Sequence, residues 1–389
     1  MRTFPQRLAV LCALLLIHAP LAARADQAPA ATSGEASKPA IAPTPEAIAP
    51  YQARFGRTRP LVAVIGENSG TEVTDYVVPY GVLTQSGVAD VVALATQQGP
   101  IQLLPALKIE PQDTIAAFDA RYPKGADYVI VPAVHRNDDP ALVGWVASQA
   151  SKGATVIGVC DGVWVVANAR LLKERRATGH WFSRADLERK FSETRWQKNL
   201  RYVADGTVVT TTGVTASIPA SLALVEAIAG RERATKLAKE LGEVDWTPAH
   251  RSDDFRLSAG HLFTAASNTL AFWAHEEVGL QVGPGTDEIA LALVADAYSR
   301  TYRSKALAIA QMQGAIRTRR GLSLLPDKVS DASKPSVRML PSFDAMPAVS
   351  ALDWALAGIE ASYGRATAAF VALQIEYPAR PDGNGRAGQ

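Results

Sequence analysis

Apolar residues cluster in short unbroken runs closed by glycine or proline, at Leu61–Gly66, Tyr128–Pro132 and Ala154–Val159. Runs of this length that do not alternate predict strands covered on both faces, as in a parallel sheet. Between them, Val73–Ser86 and Pro140–Lys152 predict helices. TVVTTTGVTA at 207–216 predicts a β-branched strand entering a glycine loop, with helix from Pro219 to Leu241 broken near Gly230. This alternation predicts a doubly wound, flavodoxin-like α/β sandwich over residues 59–243. Ligands of such sheets gather at the carboxyl ends of the strands.

The chain ends and the second half read differently. Arg2 and Arg7, the apolar run Leu8–Ile17 and Ala23-Arg24-Ala25 predict a cleaved secretory signal over residues 1–25, hence a periplasmic or secreted protein. Residues 26–58, rich in Ala, Pro, Ser and Thr, predict a disordered tether, and 379–389 a disordered tail. Residues 244–274 predict a linker with a helix. From 275 to 378 the chain echoes parts of the first half: VAVIGENSGTEVTDYVVPYGVL at 62–83 returns as VGLQVGPGTDEIALALVADAY at 278–298. VIGVCDG has no counterpart there, which predicts a truncated, degenerate second copy. Such a copy can serve as a built-in pseudo-partner, and homodimerisation is the alternative.

Composition narrows the chemistry. The 48% hydrophobic and 20% charged residues suffice for sizeable cores. A net charge of +2 gives no footprint for nucleic acid, and no mature segment reaches the roughly eighteen apolar residues of a membrane span. The histidines at 135, 180, 250, 261 and 275 show no ligand spacing, and no Walker or dinucleotide loop is present, so neither metal nor cofactor is expected. Cys12 leaves with the signal, so Cys160 is the single mature cysteine. It stands where a buried strand turns into a helix, a geometry that lifts a nucleophile from a sheet and favours thiolate through the helix N-terminus. The alternative is a small buried hydrophobe.

GVCDG…LLKERRATGHW, together with VIVPAV, EVTDYVVPYGVL and DGTVVTTTGVTASIPASLALVEAIAGRE, resembles the ThiJ/PfpI superfamily. The likeness is strongest to the branch of AraC-type regulator ligand domains and isonitrile hydratases, here without the DNA-binding domain. It implies Cys160 as nucleophile, Asp75 as the acid facing it and His180 as a proton carrier. It further implies oxyanion and pocket groups around Asp161, Gly162, Ala133, Val134, Gly213 and Thr215. Asp161 replaces the histidine of PfpI-type proteases, which argues against proteolysis. The expected function is a cysteine-dependent hydratase or amidohydrolase of a small carbon–nitrogen compound, and the alternative a ligand-binding or thiol redox-sensing module. The expected partner is a small molecule.

Overall fold

The computed structural model describes residues 46–243, 245–330 and 337–378. The expected signal, residues 26–45 of the expected tether and the expected tail lie outside the described residues. The main sheet contains β1 (Leu61–Gly66), β2 (Asp90–Ala95), β3 (Asp113–Thr114), β4 (Tyr128–Val131), β5 (Thr155–Gly158), β6 (Tyr202–Asp205) and β7 (Val208–Thr211). Its order is β6-β7-β5-β4-β1-β2-β3, and every pair is parallel except β6–β7. This is the doubly wound α/β sheet of flavodoxin type that the run pattern predicts.

Each strand sends alternate side chains to opposite faces. Val62, Val64, Ile130, Ile157 and Val209 join one core, while Ala63, Ile65, Val129, Val131, Val156 and Val208 join the other. The second core lies under α1 (Ile115–Arg121), α2 (Pro140–Ser151) and α3 (Val163–Asn168), through Phe118, Leu142 and Val163. The first lies under α4 (Ser217–Ala229), α5 (Arg231–Leu241) and the buried helix Val73–Ser86. Glu72 caps that helix by accepting the amide of Asp75, and Gly87 ends it in the left-handed region at φ 67°.

Part of the expected tether is ordered structure. Residues 46–58 are placed against the domain: Ile48 enters the core, Tyr51 N–H donates to Ala227 O at 2.9 Å, and Arg57 reaches Asp127 at 2.8 Å. The low aromatic content that predicted disorder is outweighed by this buried acceptor, which Arg54 also faces.

The second half follows the helix Ala259–Leu270, which lies in the expected linker. It holds a four-stranded sheet centred on the parallel pair Glu276–Val282 and Ser304–Ala310. Helix Glu288–Ser299 packs on Val73–Ser86. Gly81 permits this approach, since a Cβ there would lie 2.6 Å from Ile289. A second seam is a small sheet in which Ile109 pairs with Leu324 and Glu110 with Ser323. The largest hydrophobic cluster therefore draws on both halves.

Candidate active site

Cys160 follows β5 after the single residue Val159 and adopts φ 54°, a left-handed conformation that is strained for a side chain without glycine's freedom. The turn is enforced from behind. A Cβ on Gly162 would fall 1.9 Å from Val131 O, so only glycine lets the first helical turn lie against β4. The Cys160 amide donates to Thr211 Oγ1 at 3.2 Å, tying the elbow to β7. The structure thus places the cysteine at the carboxyl edge of the sheet, at 6% exposure.

Carboxylates surround the sulfur. Asp75 is fully buried; its Oδ2 accepts the Ala133 amide at 3.1 Å, and its Oδ1 has no hydrogen-bond partner. Burial and the neighbouring charge of Glu72 push the Asp75 carboxyl well above the usual carboxylate range. Asp161 accepts the Ser183 hydroxyl at 2.8 Å. Burial, and then the charges of Asp75, Asp161, Glu72 and Glu376, push the Cys160 thiol well above its ordinary value. This works against the expected thiolate. The short helical segment Cys160–Gly162 offers a partial positive charge, and desolvation with four acids around the sulfur outweighs it.

The expected oxyanion donors are engaged elsewhere. Gly162 N–H donates to Val159 O at 2.7 Å, and the Ala133 amide serves Asp75. Val134 is buried and bridges Thr71. Gly213 and Thr215, expected to line an open pocket, are instead covered by the end of the chain. Gly213 N–H donates to Glu376 Oε2 at 2.8 Å, and Thr215 Oγ1 to Glu376 O at 2.7 Å. His180 also departs from its expected role. Its Nε2 meets Gln374 O at 3.1 Å and its Nδ1 accepts the Phe182 amide at 3.3 Å, so both ring nitrogens serve structure.

Sequence reasoning missed the groups that the second half brings. Arg300 bridges Asp296 at 2.7 Å and Glu72 at 2.8 Å, all three largely buried. Burial opposes its charge, yet Asp296 and Glu72 hold the guanidinium pKa above its ordinary value. Asp296 itself rises to about 7, because burial and Glu72 outweigh Arg300. Glu376 accepts the amides of Gly213 and Trp181, and His250 Nε2 lies 3.4 Å away. Burial would raise this carboxyl, but the hydrogen bonds from His250 and the Gly213 amide hold it down to about 2. A single acid after an apolar helix offers no sequence signal for such a role.

Comparison with known proteins follows this geometry. The model of the DJ-1/PfpI family matches residues 61–227. The HTH-type transcriptional regulator CdhR of Pseudomonas aeruginosa is 33% identical over 133 residues, which are 34% of this chain and 38% of the regulator. The chain therefore spans well under half of that relative's length. Among solved structures, Drosophila melanogaster DJ-1beta aligns at 18% identity over 48% of this chain and 100% of its own, with a TM-score of 0.43. An AraC family transcriptional regulator from Pseudomonas putida aligns at 18% identity over 46% of this chain and 97% of its own, with a TM-score of 0.41. Among the described residues, no helix is long and apolar enough to cross a membrane.

Proposed function

Residues 61–227 are a DJ-1/PfpI family domain, and from that premise we propose that the Cys160 site is a small-ligand-binding module with a resting protonated thiol, not a hydrolase primed by a thiolate. One observation carries this reading: the sulfur is buried among Asp75, Asp161, Glu72 and Glu376, which disfavour its anion. Catalysis by a cysteine needs the thiolate and free amides for the developing negative charge. Here the Ala133 and Gly162 amides are already engaged. The same protonation disfavours oxidation to a sulfenic acid, so redox sensing fits less well than ligand capture. The matched relative is named a transcriptional regulator, which agrees with a binding role for the shared region. The basic-then-apolar start of the chain supports export, which fractionation of the native host would test.

The test is the pH dependence of Cys160 alkylation by iodoacetamide in the intact chain, followed by mass spectrometry. The expected midpoint lies above the value of about 8.5 for free cysteine. A midpoint below it overturns the reading.

A second reading, a hydratase or amidohydrolase, is favoured by the strained elbow at φ 54° and the unpartnered Asp75 Oδ1. In that scheme Cys160 sulfur bonds to an amide carbon and passes its proton to Asp75, whose own proton goes to the substrate nitrogen as the C–N bond breaks and the amine leaves. Water then displaces the sulfur. Turnover of small isonitriles or amides, abolished in Cys160→Ser, would establish it.

A further inference from the structure

The end of the chain crosses the loops flanking Cys160 and places a carboxylate among donors that suit one. Trp181 N–H donates to Glu376 Oε1 at 2.9 Å and Gly213 N–H to Oε2 at 2.8 Å, so the two oxygens are read separately. His250 Nε2 faces Oε2 at 3.4 Å, and its ring stacks on Phe255 at 5.2 Å, which fixes its direction. Gly213 makes the approach possible, because a Cβ there would lie 2.9 Å from Glu376 Cδ. Trp181 Nε1–H donates to Leu373 O at 3.0 Å and Thr215 N–H to Ile375 O at 3.2 Å, which holds the segment in place. Two convergent amides and an imidazole around one carboxylate constitute an anion receptor.

We propose that the Gly213 and Trp181 amides with His250 form a carboxylate-binding site, which this chain fills with its own Glu376. The inference deepens the ligand-binding reading of the Cys160 site and rests on it for its biological sense: the ligand class is a small carboxylate, and the C-terminal segment is a tethered occupant standing in its place. Glu376 stays ionised deep in the protein, as such an occupant must.

The experiment compares the thermal stability of the full-length protein in sodium acetate and in sodium chloride of equal ionic strength, for wild type, Glu376→Ala and Glu376→Gln. Glu376→Ala vacates the cradle, whereas Glu376→Gln keeps it occupied. A site with a dissociation constant of about 10 mM raises the ratio of folded to unfolded protein about tenfold at about 100 mM acetate, read as a Tm increase of about 2–4 °C. That gain is expected for Glu376→Ala alone. Should this variant fail to fold in chloride, the same comparison is read as refolded yield, with acetate expected to restore it. An equal response to acetate in Glu376→Ala and wild type overturns the proposal. Thiol reactivity does not enter this readout, so failure of the Cys160 reading and failure of the carboxylate site are told apart.

Discussion

Replacing Arg300 with methionine removes the cation that joins the two halves beside the thiol. Arg300, Glu72 and Asp296 have side chains only 12%, 11% and 2% exposed, so water cannot take over the guanidinium's part. Methionine keeps much of the apolar stem and deletes both ion pairs. Breaking a buried pair by removing one partner costs about 3–5 kcal/mol, because the remaining charge is left uncompensated. The cost must also depend on pH. Asp296 sits at about 7 even with Arg300 present, and its loss pushes that carboxyl further up. At pH 5.5 Asp296 takes up a proton and the deficit shrinks; at pH 8 it resists ionisation in a dry site and the deficit grows. Urea unfolding of the full chain at both values measures this, provided the slope m stays constant. Arg300→Lys, which keeps the charge but not the fork bridging two acids, is expected to lose about half as much. A loss below about 1 kcal/mol at both pH values would refute the argument that the triad is effectively desolvated.

Three further outcomes follow from the same geometry. Gly162→Ala forces a Cβ to 1.9 Å from Val131 O and 2.8 Å from Pro132 C, both backbone, and should cost at least about 3 kcal/mol in urea unfolding. Asp161→Asn removes one charge that raises the thiol, so the alkylation midpoint of Cys160 should move down, and an unchanged or higher midpoint would contradict the assignment. Glu376 titrates at about 2 in the fold against an ordinary 4.5, so it contributes about 3 kcal/mol that is fully present above pH 4.5 and lost as pH falls through 2. In Glu376→Gln the stability profile across that acid window should flatten.

The main sheet was legible because it is written in local pattern. Leu61–Gly66 and Val73–Ser86 coincide with their elements, since an unbroken apolar run and a glycine after the last helical turn are short-range signals. Cys160 was legible as an elbow for the same reason, and Asp75 through its resemblance to a known motif. The state of the thiol was legible only through its neighbour Asp161, since Asp75, Glu72 and Glu376 converge on the sulfur only after folding. Glu72 and Arg300 are 228 residues apart, and Gly213 and Glu376 are 163. Nothing in the spacing of His180 shows that its ring is spent on Gln374 and Phe182. Arg57 likewise reads as tether until Asp127 is seen to be buried beneath it.

Because Arg300 and Glu376 travel on the same polypeptide as Cys160, dilution cannot strip them from the thiol. A site completed by a separate subunit would empty as the concentration fell below the dissociation constant, whereas covalent connection sustains a high effective concentration at any expression level. The electrostatic setting of Cys160 is then fixed by the fold alone and is indifferent to how much of the protein a cell makes.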